Sequence, residues 1–132
     1  MTTINAYLTF NGNCREAMTF YKECLGGELT LQTVKGSPME SHWPKDVQNN
    51  ILHASLTKDS LTLLGSDMVD SDGLIPGNNV SLTLNCSTEN EIETFFSKLS
   101  VGGKVKYTLH NFYDGKIGGF KDKFGINWLL KL

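Results

Sequence analysis

One sequence pattern occurs twice in the chain, at a fixed spacing of 76 residues. The segment from Asn5 to Leu29, NAYLTFNGNCREAMTFYKECLGGEL, returns in looser form from Val80 as VSLTLNCSTENEIETFFSKLSVGGKV. The matched positions are Phe20 with Phe96, Lys22 with Lys98, Gly26 with Gly102, and Gly27 with Gly103. Such self-similarity predicts a tandem repeat. Because neither half is large enough to bury a sheet face alone, we expect one domain, residues 1–132. Its modules span 4–65 and 80–132, joined by a linker over 66–79.

The first module has the pattern of a strand, a helix and three further strands. Apolar and polar residues alternate from Ile4 to Phe10, which is the period of a strand. Asn13 with Glu16 predicts a helix N-terminus, and the helix then carries an apolar stripe at Ala17, Met18, Tyr21 and Leu25. The glycine pair ends it. Strands are predicted at 28–34, 51–57 and 61–65.

The second module repeats that order. Alternation over 80–86 predicts a strand, and Thr88 with Glu91 forms a second capping-box pattern. A helical stripe follows at Ile92, Phe95, Phe96 and Leu99. Strands are then predicted at 104–111, 116–121 and 126–132. The expected fold class is therefore α+β, built from two βαβββ modules.

Composition and charge exclude several classes of protein. The 12 basic and 14 acidic side chains are interspersed and give a net charge of −2, so there is no electrostatic footprint for nucleic acid. No apolar run of 18 residues exists, so no membrane span is expected. The N-terminus lacks the pattern of a signal peptide. Three cysteines without C-x-x-C spacing favour a reducing cytoplasm over a disulfide framework.

Two segments lack any period. Residues 35–50, KGSPMESHWPKDVQNN, form a loop that is long for a compact domain, and either a lid over a ligand or an unstructured excursion accounts for it. The linker contains Asp67, Asp70 and Asp72. It lacks the glycine spacing and closing glutamate of a calcium loop, so solvated turn residues are the preferred interpretation.

The double unit resembles the vicinal oxygen chelate superfamily, which includes glyoxalase I, bleomycin-resistance proteins and extradiol dioxygenases. Within it, the chain is similar to the PhnB-like group. The resemblance rests on YLTFNGNCREAMTFYKECLGGEL near the start, ILHASL and LLGSD in the middle, and FKDKFGINWLL at the end. It implies a cup-shaped mixed β-sheet, the glyoxalase/bleomycin-resistance fold, usually completed in a homodimer.

The resemblance also implies where a metal would lie. Metal-dependent members hold a divalent ion with His, Gln or Glu side chains from four strands. Here those positions fall on Ala6 or Tyr7, His53, Asn79 or Val80, and Trp128 or Leu129. Only His53 is a competent ligand, and a catalytic divalent ion needs about three protein ligands. We therefore expect no metal and no cofactor.

Candidate ligand contacts remain at Tyr7, Trp43, His53, Asn79 and Trp128. His53 either lines the cup as a hydrogen-bond donor or general base, or is a half-buried histidine satisfied by backbone. Trp43, beside His42, either closes over a ligand or anchors its own loop, and the second is favoured. Trp128 is most simply a core residue whose indole N–H needs a partner.

Other reactive or aromatic side chains favour structural roles. The cluster of His110, Phe112 and Tyr113 is more typical of a core or dimer contact than of a substrate site. Cys14 begins a helix, where the dipole can lower a thiol pKa, but a small buried hydrophobe is the preferred interpretation. Cys24 and Cys86 are interpreted in the same way.

Two functions stay open. The first is a metal-free protein that binds a modest, partly apolar small molecule. The second is an enzyme of this superfamily, with lyase, dioxygenase or transferase chemistry, that uses His53 as acid–base or as part of a metal site. Some PhnB-like proteins are described as demethylubiquinone methyltransferases, but no Gly-rich turn between a strand and a helix is present for S-adenosylmethionine. Catalytic residues beyond the candidate His53 are unassigned.

Overall fold

A computed structural model describes all residues 1–132. The chain divides into two compact units, a first unit over 1–74 and a second unit over 75–132. The first unit contains β1 (Ala6–Thr9), α1 (Cys14–Leu25), β2 (Glu28–Thr33), β3 (Ile51–Lys58) and β4 (Leu61–Ser66). The second contains β5 (Leu82–Asn85), α2 (Glu89–Leu99), β6 (Lys104–Phe112), β7 (Gly115–Lys121) and β8 (Asn127–Lys131). Neither helix is long and apolar enough to cross a membrane.

Both units have the same sheet topology. The strand order is β1-β4-β3-β2 in the first sheet and β5-β8-β7-β6 in the second. In each sheet the first and last strands of the unit pair in parallel, and the other pairs are antiparallel. Each unit is thus a βαβββ module with a mixed sheet, and the predicted α+β class is confirmed.

The repeat extends to the strand pairings, although the partner residues on the later strands recur at a spacing shorter than 76 residues. Ala6 lies opposite Leu63 in the first sheet, and Leu82, 76 positions after Ala6, lies opposite Trp128 in the second. Leu29 lies opposite Leu56, and Val105, again 76 positions later, lies opposite Phe120. The repeat predicted from sequence is therefore a repeat of pairings as well as of elements.

Each sheet buries one face against the helix of its own unit. In the first unit the predicted stripe of α1 is buried, and Ala54, Leu56 and Leu63 are the buried strand residues beneath it. In the second, the ring of Phe96 on α2 packs edge-on against Phe120, with 5.0 Å between ring centroids. Burial of these apolar side chains is the main stabilising term in each unit.

The glycine pairs mark a close backbone approach that both units share. Gly27 has φ of +100°, and a Cβ there would lie 2.6 Å from the carbonyl oxygen of Thr57. A Cβ on Gly103 would collide with the carbonyl oxygen of Lys121 and lie 2.8 Å from Asp122 Cα. In each case the second glycine sits directly before a strand and against the end of the neighbouring strand. No larger residue fits there without displacing backbone.

The start of α1 differs from the prediction. Asn13 occupies the N-cap position, but its side chain makes no capping hydrogen bond. Asp67 Oδ1 instead accepts hydrogen bonds from the N–H groups of Gly12 and Cys14, both at 2.9 Å. Its Oδ2 accepts from the N–H of Ile51 at 2.8 Å. The predicted Asn13–Glu16 capping box is wrong because a carboxylate more than 50 residues away takes its place.

Asp67 is buried, so its interpretation as a solvated turn residue is also wrong. Asp70 and Asp72 are exposed, as that interpretation requires. The capping box at α2 is confirmed, because Thr88 Oγ1 accepts from the N–H of Glu91 at 3.1 Å and Glu91 Oε1 accepts from the N–H of Ser87 at 2.9 Å.

The long loop over 35–50 contains only two short 3₁₀ turns, Glu40–His42 and Lys45–Val47. Gln48 holds them together, because its Nε2 donates to the carbonyl oxygens of Glu40, Trp43 and Pro44 at 2.9 to 3.2 Å. The loop thus has its own internal hydrogen bonds.

Asp67→Ala tests the role of the buried carboxylate. The substitution leaves three backbone N–H groups without an acceptor, so we expect the free energy of unfolding to fall by about 3 kcal/mol. Urea denaturation measures it. Asp70→Ala, an exposed aspartate three residues on, is the matched control and should change stability by less than about 0.5 kcal/mol. Equal losses for the two variants would contradict the account.

Candidate functional site

The face of the first sheet that is not covered by α1, here called the outer face, is lined mostly by polar side chains. Its members follow from the strand register: Tyr7, Leu64, Ser55, Thr30, His53 and Gln32. Tyr7, His53, Gln32 and Thr30 are exposed, whereas the residues alternating with them on β3, such as Ala54 and Leu56, are buried. The sheet therefore has one apolar face and one face available to a ligand.

Tyr7 and His53 are neighbours on this outer face. Their ring centroids are 6.2 Å apart, with the planes tilted by 37°. Only one strand, β4, separates Tyr7 on β1 from His53 on β3. The β4 residue opposite Tyr7 is Leu64. Tyr7 is 52% exposed. Neither ring makes a hydrogen bond within the chain, so the phenol O–H and the imidazole nitrogens are free to meet a ligand.

Trp128 lies elsewhere. It is only 4% exposed, and its register partner Phe120 contacts α2, so it belongs to the helix-covered face of the second sheet. Its Nε1 donates to Asp122 Oδ2 at 2.8 Å. The other oxygen of that carboxylate accepts from the N–H groups of Phe124 and Ile126. The indole N–H thus has the partner that its burial requires, within the core of the second unit.

The remaining two candidates are on loops. Trp43 is half-buried in the long loop of the first unit, where its carbonyl oxygen accepts from Gln48. Asn79 is exposed in the second unit, before β5 begins. Of the five predicted contacts, the structure brings Tyr7 and His53 together.

The side chains at the expected metal positions do not fit a divalent ion. Tyr7 points to the outer face of its sheet, whereas Ala6 pairs with buried Leu63 on the helix side. Leu129 is the corresponding outward residue of β8, because Trp128 is turned to the helix. A phenol, an imidazole and a leucine do not make the three-ligand set of a catalytic divalent site. No group of three or more His, Cys, Asp or Glu side chains lies close enough to hold a metal ion.

Sequence reasoning missed Gln32 as a neighbour of His53. Gln32 lies directly opposite His53 across the β2–β3 pair. The alternation over 28–34 already put Gln32 on the polar side of its strand, but only the register shows which β3 residue it faces. The amide adds a donor and an acceptor beside the imidazole.

The cysteines have no catalytic character. All three are buried and none forms a disulfide. Burial, reinforced by the carboxylate of Asp67, raises the pKa of the Cys14 thiol to about 12 despite its place at the start of α1. Burial likewise raises the pKa of Cys86 to about 11, with Glu91 adding to it. These thiols stay protonated at neutral pH, which agrees with their interpretation as small apolar core residues.

Known structures define the class of this protein. The chain is similar to a glyoxalase/bleomycin resistance protein/dioxygenase from Nocardioides, at 13% identity and a TM-score of 0.59, over 99% of this chain and 82% of that one. At this identity the likeness shows the fold alone. Together with the two βαβββ modules, it shows that the chain has the glyoxalase/bleomycin-resistance fold.

Closer relatives give the family. The model described as 3-demethylubiquinone-9 3-methyltransferase matches residues 2–131, and the chain belongs to this PhnB-like family. Protein PA1353 from Pseudomonas aeruginosa is 34% identical, over 98% of this chain and 96% of that one, with a TM-score of 0.87. A putative 3-demethylubiquinone-9 3-methyltransferase, PhnB protein, from Bacillus cereus is 26% identical, with 99% of each chain covered and a TM-score of 0.76. Protein YjdN from Escherichia coli (strain K12) is 27% identical over 143 residues, which are 98% of this chain and 94% of that protein.

Proposed function

We propose that this protein binds a small, partly apolar molecule without a metal, through Tyr7 and His53 on the outer face of the first sheet. The observation that carries the proposal is the exposed pair of rings, 6.2 Å apart, at positions where the superfamily resemblance expects ligand contacts. An exposed phenol and imidazole with unused hydrogen-bonding groups are suited to a planar ligand carrying one or two polar atoms.

The side chains around the pair support the same class of ligand. Gln32 and Ser55 add neutral donors and acceptors, and Leu64 adds apolar surface beside Tyr7. The immediate neighbours of the two rings carry no charge, so a neutral ligand is favoured over an ion. Trp43 is proposed as a further contact from the loop of the same unit, and the ligand contact of Asn79 stays a prediction. Because Trp128 is buried, we assign it to the core of the second unit and not to the ligand site.

Methyl transfer, which the name of the family describes, has weak support in these residues. A nucleotide-like cofactor is commonly held where a Gly-rich turn leads from a strand into a helix and leaves backbone N–H groups free. In this chain that turn joins β1 to α1, and the N–H groups of Gly12 and Cys14 are both taken by Asp67. The residues there do not fit S-adenosylmethionine.

The alternative is an enzyme that uses His53 as acid–base or as part of a divalent metal site. The observation in its favour is the same free imidazole, exposed and without a hydrogen bond, next to a phenol that can exchange a proton. Metal analysis of the purified protein discriminates between the two. A stoichiometric divalent ion that is lost in His53→Ala would support the enzyme and contradict the binding protein.

We further propose that the two units form one domain and that two chains pair, in a reducing cytoplasm. Exposed aromatic and apolar side chains support the pairing, since monomeric proteins seldom leave many of them uncovered. They include Val105, Phe112 and Tyr113 of the second unit. Three buried cysteines that form no disulfide are consistent with a reducing compartment.

Light scattering tests the pairing. The expected mass is twice the 14.6 kDa of the chain, because association buries the exposed apolar side chains Val105, Phe112 and Tyr113. A chain that remains at the single mass throughout the micromolar range would contradict the proposal.

The ligand site is tested by titrating indole, a neutral planar probe, into isotope-labelled protein. We expect saturable shifts of the backbone amides of Tyr7, His53 and Ser55. His53→Ala should weaken binding by about fivefold, the loss of one hydrogen bond. Tyr7→Leu removes the ring and should have a comparable effect.

His42→Ala is the matched control, an exposed histidine in the long loop, and should leave the affinity unchanged. Unaltered affinity in both His53→Ala and Tyr7→Leu, or shifts confined to other residues, would contradict the proposed site. Thermal unfolding of each variant checks that the fold is intact.

A further inference from the structure

Two lysines face each other on the second sheet. Lys104 on β6 lies directly opposite Lys121 on β7. Like charges at directly opposed positions of an antiparallel pair destabilise the sheet. The salt bridges of Lys116 with Glu89 and Glu93 lie toward the other end of β7. At the Lys104–Lys121 end of the sheet two like charges occupy opposed positions.

A third lysine is held beside them. Lys106 Nζ donates to Asn127 Oδ1 at 3.1 Å, and Asn127 lies directly opposite Lys121 on the next strand. Asn127 is only 7% exposed and donates its own amide to the carbonyl oxygen of Gly77 at 2.9 Å. The amide is thus fixed, and it fixes Lys106 in turn. Lys104, Lys106 and Lys121 thus lie at one end of this sheet, beside a neutral side chain.

The nearest acidic residue in sequence is turned away from the cluster. Asp122 follows Lys121, but it is 3% exposed. Its Oδ1 accepts from the N–H groups of Phe124 and Ile126, and its Oδ2 accepts from the indole of Trp128 on the helix-covered side. That carboxylate serves the core of the unit and forms no salt bridge with Lys104, Lys106 or Lys121.

An exposed aromatic ring adjoins the lysines on the same face. Tyr107 lies opposite Gly119, and its ring occupies the space of a side chain there: a Cβ on Gly119 would lie 2.9 Å from Tyr107 Cζ and 3.0 Å from Oη. Tyr107 is 44% exposed, with His110 edge-on at 6.2 Å between centroids. Gly119 is two residues from Lys121 on one strand face, a separation of about 7 Å.

We propose that Lys104, Lys106, Lys121 and Tyr107 form a binding site for a small anion that carries a carboxylate or phosphate group on a planar apolar body. The ammonium groups bind the anionic group through charge-assisted hydrogen bonds, and the tyrosine ring contacts the planar part about 7 Å away. This site lies within the second unit. It does not depend on the Tyr7–His53 site, which has a neutral lining.

The test is a calorimetric and NMR titration of the full chain with phenyl phosphate, benzoate and inorganic phosphate. Phenyl phosphate should shift the amides of Lys104, Gly119 and Lys121. The double variant Lys104→Ala/Lys121→Ala should bind it at least about tenfold more weakly, since each charge-assisted contact is worth a factor of that order. Raising the salt concentration should weaken binding to the wild type.

Controls separate the parts of the site. Lys35→Ala/Lys45→Ala removes the same charge from the long loop of the first unit and should leave phenyl phosphate binding unchanged. Tyr107→Leu should weaken phenyl phosphate and benzoate but not inorganic phosphate. The ranking of phenyl phosphate against benzoate identifies which anionic group the lysines prefer. Because removal of the facing lysines relieves like-charge repulsion, the double variant should have a melting temperature no lower than that of the wild type. A loss of binding would then not be due to unfolding.

Equal affinity of wild type and double variant for phenyl phosphate would overturn the proposal. Shifts confined to Tyr7 and His53 would also overturn it and would extend the first site to anions. Tighter binding of a single-stranded oligonucleotide than of any small anion would overturn it in favour of a nucleic-acid contact.

Discussion

The contact between a glycine and a neighbouring strand, made once in each unit, is the constraint on which the rest of the structure depends. Gly27 and Gly103 each precede a strand and press against the carbonyl end of the next strand along the sheet, at Thr57 and at Lys121. This approach sets the register between the strand after the helix and its partner. A slip of one residue would exchange the two faces of the sheet. Both modules therefore have the glycine pair, whereas the sequences of the helices that precede it differ more.

Register in turn decides what each sheet presents. In the first sheet it puts Ala54 and Leu56 under α1 and leaves His53 and Tyr7 outward. In the second it puts Phe120 and Trp128 under α2 and leaves Lys104 and Lys121 facing each other. The repeated framework thus carries different chemistry on its two outer faces, one neutral and ring-lined and the other cationic. Function therefore has to be argued from the side chains on these faces and not from the fold.

Much of the fold could be predicted from the sequence because its signals are local. The strand alternations, both helical stripes and the Thr88 cap are short-range patterns, and the structure has each of them. The cap of α1 could not be predicted, because an asparagine at the N-cap is a strong local signal and the carboxylate that replaces it comes from Asp67, across the unit. The burial of Asp67 could not be predicted either, because the segment around it has the composition of an exposed turn.

Both proposed sites depend on pairing between strands, which the sequence of a single strand does not reveal. The resemblance pointed to Tyr7 and His53, yet their proximity follows only from the strand order that separates β1 from β3 by a single strand. Lys104 and Lys121 are 17 positions apart in sequence, and only the β6–β7 register places them face to face. Irregular register on β6, between Val105 and Tyr107, brings Lys106 to the same side. Such an irregularity leaves no periodic signal.

The measurement that tests the central claim most directly is urea unfolding of Gly27→Ala and Gly103→Ala beside matched glycines in open space. Gly36 shares a positive φ with Gly27, and Gly77 shares an ordinary φ with Gly103, but neither meets a close neighbour. If the backbone contact fixes both modules, each tested variant should lose about 2 kcal/mol more than its control. Losses within about 0.5 kcal/mol of the controls would show that the repeated glycines do not hold the sheets in register.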